Sequence, residues 1–237
     1  MLDQAEVARL AARSARGPST MLRIGYVPAS LPASVPRALQ RLTVAMPHVE
    51  TSLEPGSGLE LVDAVHAERL HAVIVSLPTP AAGLRITDLG DQRAVAVFPV
   101  GHDQAVKPGV RLGQIAPQRL IVLPREADRP FYDGVIAACR DAGVAPTLVE
   151  MSDGQVERVL LAVASGAGIA MVPESVSERY AGAGVRFVPL DDGPVLATAV
   201  VSRRDCEHLP TVAFLRAISR ARERRPAVAP QVSPVAA

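Results

Sequence analysis

A short β-rich run that leads through small residues into a helix recurs along this chain and constrains its fold strongly. Such runs span residues 22–27, 49–54 and 120–123. Each ends just before a helix exposes its unpaired backbone N–H groups, which attract anions and polar ligand groups. The alternation of strands and helices predicts an α/β fold with a mainly parallel sheet and helices on both faces. Helix starts that face one crevice form a small-molecule site.

Two units with this order of elements follow one another. The first runs from residue 22 to about 100, and the second begins near residue 111. The first unit lacks a closing helix, which we expect residues 209–224 to supply. The chain then crosses between the units twice, near Phe98 and near Thr198, and two such crossovers form a hinge beside a cleft.

Some predicted element boundaries bear on the cleft. The apolar run at residues 72–76 predicts a strand that is buried on both faces. Residues 84–89 and 93–100 are predicted to form two separate strands. Residues 133–142 are predicted to form a helix that ends at Gly143.

Composition limits the classes of protein and of partner. The 25 Lys and Arg residues nearly balance the 24 Asp and Glu residues, so a net charge of +1 gives no general electrostatic reason to bind DNA. Two cysteines, Cys139 and Cys206, fit reduced thiols better than a disulfide framework. The first residues lack the layout of a signal peptide, and no apolar run approaches the roughly 20 residues that cross a bilayer. We therefore expect a cytoplasmic protein with no membrane partner.

Five motifs, in their order and spacing, resemble the effector-binding domain of LysR-type transcriptional regulators. They are Leu-Arg-Ile-Gly-Tyr-Val at 22–27, Met-Pro-His-Val at 46–49, Gly-Ser at 56–57, Ala-Gly-Val-Ala-Pro at 142–146, and Val-Ala-Ser-Gly-Ala-Gly-Ile-Ala-Met-Val-Pro-Glu at 163–174. The last motif is the most specific, and the resemblance extends from residue 22 to about residue 220.

The resemblance implies a type 2 periplasmic-binding-protein-like fold, in which two Rossmann-like lobes are joined by a two-strand hinge. Lobe I is expected to comprise residues 21–98 and 201–225, and lobe II residues 99–200. The family normally begins with a winged helix-turn-helix domain and a linker helix. Residues 1–20 resemble a remnant of that linker, so DNA contact is expected only through a head domain absent from this chain. Residues 226–237 are predicted to form a disordered tail.

The resemblance also implies a small effector, often an organic anion, bound between the lobes. When the effector-binding positions of the family are carried over to this sequence one by one, they give eight candidate ligand-binding residues: Ala29, Ser30, Ser57, Pro124, Arg125, Glu126, Phe131 and Gly168. A serine hydroxyl donates to a carboxylate oxygen, and an arginine forms a bidentate pair with a carboxylate. Simpler roles stay open, since Ser30 and Ser57 fit helix caps, Arg125 a solvated loop charge and Phe131 core packing.

Enzyme motifs are poorly represented. The sequence has no G-x-S-x-G elbow and no G-K-[ST] phosphate loop, and its five dispersed histidines lack metal-ligand spacing. We therefore predict no catalytic residue, metal site or cofactor. Two other bilobal proteins remain as alternatives: a stand-alone solute-binding protein, which normally needs an export signal, and a porphobilinogen deaminase-like transferase. The transferase needs a cysteine in the cleft, and neither Cys139 nor Cys206 fits that position.

The sequence therefore predicts the effector-sensing and oligomerising domain of a LysR-type regulator. An effector that contacts both lobes favours one cleft geometry, which in the full-length protein repositions the DNA-binding heads. The resemblance also implies a homodimer or tetramer. In it, the helix at residues 35–45 is expected to pack against the helix at residues 155–164 of a partner subunit.

Overall fold

The computed structural model describes residues 21–115 and 118–222, without the side chains of residues 221 and 222. The predicted linker remnant at 1–20 and the predicted tail at 226–237 lie outside these residues. The first elements in chain order are β1 (Met21–Tyr26), α1 (Ser34–Ala45), β2 (Glu50–Pro55), α2 (Gly58–His66), β3 (Ala72–Ser76) and β4 (Leu84–Pro99).

The remaining elements follow a connection that contains a short 3₁₀ turn (Asp103–Val106). They are α3 (Leu112–Ile115), β5 (Arg119–Val122), α4 (Arg129–Asp141), β6 (Thr147–Glu150), α5 (Val156–Ala164), β7 (Ile169–Pro173), α6 (Glu174–Arg179), β8 (Val185–Pro189), β9 (Val195–Arg203) and α7 (Leu209–Arg222). No helix in the described part of the chain is both long enough and apolar enough to span a bilayer.

The nine strands described here form one continuous sheet, in which the long strand β4 belongs to two halves. The first half-sheet has the order β2-β1-β3-β9-β4, and the second has the order β6-β5-β7-β4-β8. In each half, the first three strands pair in parallel, and each of the last two strands pairs antiparallel with the strand before it. This confirms the predicted α/β fold with two similar units.

Helices cover both faces of each half-sheet because successive strand side chains point in opposite directions. In β3, for example, Ile74 packs in the core beneath α1 and α7, whereas Val75 packs in the core beneath α2. The α7 residues Phe214 and Ile218 are fully buried against the strands of the first half-sheet. The prediction that the last helix closes the first unit is therefore confirmed.

The chain leaves the first half-sheet earlier than predicted. Residues 84–93 pair with β9, whereas residues 94–97 pair with β7. The two strands predicted here are one strand, because β4 continues through an irregularity at Gly90, which has a φ of 97°. The first crossing therefore lies just after Arg93 rather than near Phe98.

The return crossing also lies earlier than predicted. All of β9 pairs with strands of the first half-sheet, since residues 198–202 pair with β3 and residues 195–203 pair with β4. The chain has thus returned by Val195 rather than near Thr198. The predicted lobe boundaries at residues 98 and 200 accordingly differ from the strand pairing.

Helix α4 begins four residues before its predicted start at residue 133. Asp128 caps this helix, since its Oδ1 accepts a hydrogen bond from the Phe131 N–H at 3.3 Å. Pro130 in the first turn suits a helix start because its missing N–H needs no partner there. The early start brings the Asp128 carboxyl to the boundary between the half-sheets.

Candidate functional site

A buried polar cluster joins the two half-sheets. Ser30 ends the 3₁₀ turn after β1, Ser76 ends β3, and Asp128 caps α4. The three residues are 1%, 4% and 5% exposed, respectively. The Ser30 hydroxyl donates to Asp128 Oδ2, while Ser76 Oγ lies 2.9 Å from the same oxygen and 2.8 Å from Ser30 Oγ. Because Ser76 has a single hydroxyl hydrogen, it donates to only one of these atoms at a time.

The Asp128 carboxyl is held by neutral donors. Burial raises its pKa above the ordinary value, while hydrogen bonds from Ser30, Ser76 and the Phe131 N–H act in the opposite direction. No cationic side chain within residues 21–115 and 118–222 forms an ion pair with Asp128. Its oxygens therefore accept hydrogen bonds from hydroxyl and amide groups of both half-sheets rather than from a cation.

Side chains of β4 and β9 extend this cluster. Gln92 of β4 donates through Nε2 to the Ser30 carbonyl at 3.2 Å and to Thr198 Oγ1 of β9 at 2.9 Å. Both side chains are buried, and Gln92 Oε1 has no hydrogen-bond partner in the described part of the protein. Gln92 of β4, itself bonded to Thr198, thus holds the loop after β1 from one side.

Helix α6 holds the same loop from the other side. Ser175 Oγ donates to the Ala29 carbonyl at 3.2 Å, and Arg179 Nη2 donates to the Pro28 carbonyl at 2.7 Å. Together with the Gln92 bond to Ser30, three consecutive carbonyls of the loop accept side-chain hydrogen bonds. Two of these three bonds, those from Ser175 and Arg179, come from outside the half-sheet to which the loop belongs.

A cavity lies beside the cluster. The empty space within it, including the part that is open to solvent, is about 410 Å³. Its walls are mainly apolar, with Asp128 as their charged member. The lining residues are Ala29, Val122, Leu123, Pro124, Asp128, Phe131, Tyr132, Val135, Met171, Val172 and Pro173.

Half of the predicted ligand-binding residues meet at this place. Ala29, Pro124 and Phe131 line the cavity, and Ser30 is bonded to the Asp128 carboxyl. The half-buried Phe131 also packs against the core of the second half-sheet, which is the simpler role considered for it. Ser30 caps no α-helix, because the turn that it ends is followed by an extended residue.

The structure places three other predicted residues away from the cavity lining. Ser57 occupies the N-cap position of α2, but its hydroxyl donates to Glu60 Oε2 at 2.7 Å and makes no capping bond. Arg125 forms a bidentate pair with Asp133 at 2.6 and 2.7 Å, and both side chains are nearly half exposed. Glu126 is exposed.

Gly168, the eighth predicted residue, precedes β7 and packs closely against the start of β5. A Cβ atom added there would lie well within 3.0 Å of the Arg119 carbonyl oxygen and 3.2 Å from its carbonyl carbon. Close backbone packing therefore accounts for a glycine at this position.

Sequence reasoning missed Ser76, Gln92, Asp128 and Thr198. The pattern Asp128-Arg129-Pro130 is a helix-start signal, since aspartate is a favoured N-cap and proline is favoured in the first turn. Ser76 is the one polar residue that ends an apolar run. No local pattern marks Gln92 and Thr198, which meet only because β4 pairs with β9.

Comparison with protein families gives a match over most of the chain. The family model described as LysR substrate binding domain matches residues 15–230. The chain is 30% identical over 200 residues to the HTH-type transcriptional regulator IlvR of Caulobacter vibrioides, covering 83% of this chain and 66% of that protein. It is 28% identical over 176 residues to the HTH-type transcriptional regulator TtuA of Agrobacterium vitis, covering 73% and 56%. The chain thus spans between half and two thirds of the length of these relatives.

Solved structures share the fold. CbnR, described as a LysR family transcriptional regulator, superposes with a TM-score of 0.74 at 18% identity, covering 92% of this chain and 75% of that chain. The effector binding domain of a BenM variant gives a TM-score of 0.73 at 22% identity, covering 86% and 94%. These similarities confirm the predicted type 2 periplasmic-binding-protein-like fold.

Proposed function

Because the chain belongs to the LysR substrate binding domain family, we propose that a small effector bound between its half-sheets controls DNA binding by a whole LysR-type regulator. The observation that carries this proposal is the cluster of Ser30, Ser76 and Asp128, which joins both half-sheets beside a cavity. A ligand at this place contacts elements on both sides of the crossing strands. DNA contact itself belongs to another domain of the regulator.

The proposed mechanism is a shift between two arrangements of the half-sheets. The hydrogen bond that Ser30 donates to Asp128, and those that the loop carbonyls accept from Gln92 and α6, hold the loop after β1, so a ligand that alters these bonds alters the relative energies of the arrangements. The effector shifts the populations only by the difference between its affinities for them. The two crossings of the chain, one after Arg93 and one before Val195, permit such a hinge motion because few backbone connections join the halves.

We propose a compact organic anion as the effector. The support is the family resemblance, which implies an organic anion, together with the hydroxyls of Ser30 and Ser76, which are free to donate to a carboxylate oxygen once Asp128 no longer accepts from them. The limited cavity and its apolar walls favour a short acid with a small hydrocarbon part.

The proposed assembly is a homodimer or tetramer. Val44 of α1 is 80% exposed and Leu161 of α5 is 71% exposed, and single apolar residues gain stability when a partner covers them. A contact between α1 of one subunit and α5 of another buries both residues. A C₂ arrangement repeats this contact twice.

The alternatives differ in what they require. A stand-alone solute-binding protein uses the same fold without a DNA-binding domain. Our proposal is instead a cytoplasmic regulator, in which this fold controls a DNA-binding domain. We propose no enzymatic role. The Cys139 thiol lies in the core and its pKa is raised by burial, which is the opposite of an activated nucleophile.

The test is a thermal-shift screen of small organic acids against the protein. A true effector at 100 times its dissociation constant adds about 2.7 kcal/mol to the free energy of unfolding. For a domain of this size, that corresponds to a rise in Tm of roughly 5–10 °C. If no acid raises Tm, while neutral or cationic metabolites do, the proposed effector class is wrong.

A pair of phenylalanine variants locates the bound acid. Phe131→Ala removes part of the cavity wall and is expected to reduce the acid-induced rise in Tm. Phe187→Ala removes a similarly half-buried ring from β8, outside the cavity lining, and is expected to preserve the rise. Equal responses from the two variants contradict binding at this cavity.

A further inference from the structure

We propose that the Asp128 carboxylate occupies the subsite that the carboxylate of an effector takes, so that the protein carries an internal competitor for its own ligand. This inference rests on the proposed function and concerns the regulation of the same site. It predicts that an acid binds only by displacing Asp128 from the hydroxyls of Ser30 and Ser76.

The geometry of the cluster is that of a bound carboxylate. One oxygen of Asp128 meets the hydroxyls of Ser30 and Ser76, which come from the first half-sheet, while Asp128 comes from the second. No ion pair with another described residue contributes to its binding. The same two hydroxyls are able to donate to the carboxylate of a free acid once Asp128 has moved away, because the donors recognise the functional group rather than the chain that carries it.

The cavity gives an acid access to this subsite. Asp128 is part of the cavity lining, so the group that an incoming acid must replace lies at the wall of the space through which it enters. The apolar walls contributed by Ala29, Pro124 and Phe131 then surround the hydrocarbon part of the acid. Carboxylate exchange and apolar contact thus occur at adjoining places.

Displacement of Asp128 has a structural consequence. The Asp128 Oδ1 atom accepts the Phe131 N–H bond that caps α4, and the Oδ2 atom of the same side chain bonds to the first half-sheet. A carboxylate that moves away from the serines therefore releases the contact between α4 and the loop after β1. This couples occupation of the subsite to the relative position of the half-sheets.

An internal competitor lowers the apparent affinity of an external ligand. The measured dissociation constant equals the intrinsic constant divided by the fraction of molecules in which the subsite is free. Because Asp128 is tethered nearby, its effective concentration is in the millimolar range or higher. Removal of the Asp128 side chain is expected to increase the apparent affinity for a simple carboxylate by about tenfold or more.

The experiment uses acetate as the probe and Asp128→Ala as the variant. Sodium acetate is titrated into the wild-type and variant proteins, with sodium chloride at equal concentration as the salt control, and Tm is recorded. The variant is expected to show a saturable rise in Tm with acetate, whereas the wild type shows little response over the same range. Equal responses of the two proteins overturn the inference.

Second variants guard against non-specific effects and misfolding. Because Asp128 and the acid use the same hydroxyls, a serine variant is informative only once Asp128 is absent, so Asp128→Ala is combined with Ser30→Ala. The double variant is expected to lose the acetate response, and its persistence counts against the inference. Asp63→Ala, which removes an exposed carboxylate from α2, is expected to behave as wild type towards acetate.

If Asp128→Ala does not fold, Asp128→Asn replaces it, since the amide keeps the side-chain volume but binds the hydroxyls less strongly. This variant is expected to respond to acetate more than the wild type does, and a response no greater than that of the wild type overturns the inference. The outcome is separable from that of the proposed function. An effector found with the wild-type protein, together with no acetate gain in the variants, removes the internal competitor alone.

Discussion

Gly168→Ala tests the close packing between the backbones of β5 and β7. An added methyl group would lie within 3.0 Å of the Arg119 carbonyl oxygen, a separation that real Cβ atoms essentially never show. This oxygen belongs to backbone, and the next residue, Leu120, pairs with Ile169 in the parallel ladder. Relief of the clash therefore requires the paired strands to part by roughly half an ångström or more in a densely packed interior.

The expected cost is about 2–3 kcal/mol of unfolding free energy, in the upper part of the range for overpacked sites. Urea unfolding measured by circular dichroism gives this value from the shift in midpoint, provided that the m-value is unchanged. Gly113→Ala in α3 is the matched control, because nothing lies within 4 Å of its added methyl group. It is expected to be neutral or to stabilise by about 0.4–1 kcal/mol. A Gly168→Ala variant as stable as the control refutes this reasoning.

Three further predictions concern the first half-sheet and the assembly. Burial and nearby positive charge lower the pKa of His71 to about 4 from its usual 6.5, so the unfolded chain takes up this proton at a higher pH than the native protein does. After allowance for partial exposure, the free energy of unfolding is expected to fall by about 1–2 kcal/mol as the pH drops from 6.5 to 4. Urea unfolding of the His71→Gln variant should lack this part of the pH dependence. Phe214→Ala is expected to cost about 3–5 kcal/mol in urea unfolding because its ring is fully buried, and a loss below 1 kcal/mol contradicts the packing of α7 on the first half-sheet. Val44→Glu and Leu161→Glu are each expected to shift a dimer towards monomer in light scattering at micromolar concentration, whereas a mass unchanged by both variants rules out the proposed contact between α1 and α5.

The elements that sequence predicted well are those whose signal is local. The apolar run at residues 72–76 became a strand with every residue buried. Local signals also misled at β4. Two separate strands were predicted at residues 84–89 and 93–100, but pairing with β9 carries one strand through the residues between them.

The candidate site was only partly predictable, because its polar contacts join residues distant in sequence. Ser30 and Asp128 are separated by 98 positions, and Gln92 and Thr198 by 106. Family resemblance pointed to the loop after β1, which supplied Ser30 and Ala29. It did not point to Asp128, since the helix that this residue caps was expected to begin later. The helix-start pattern Asp128-Arg129-Pro130 marks that carboxyl as a helix cap, but it does not reveal which residues bond to it.

Protection of a single thiol at the cavity tests ligand binding between the half-sheets most directly. Tyr132→Cys in a Cys206→Ser background places a reactive group on the cavity wall, and Val44→Cys in the same background places one on an exposed helix face. Labelling rates with a thiol reagent are measured with and without a saturating concentration of the acid identified by the thermal screen. We expect the acid to slow labelling at position 132 by about tenfold or more while leaving position 44 unaffected. Equal labelling at position 132 in the presence and absence of a bound acid contradicts the assignment of this cavity as the effector site.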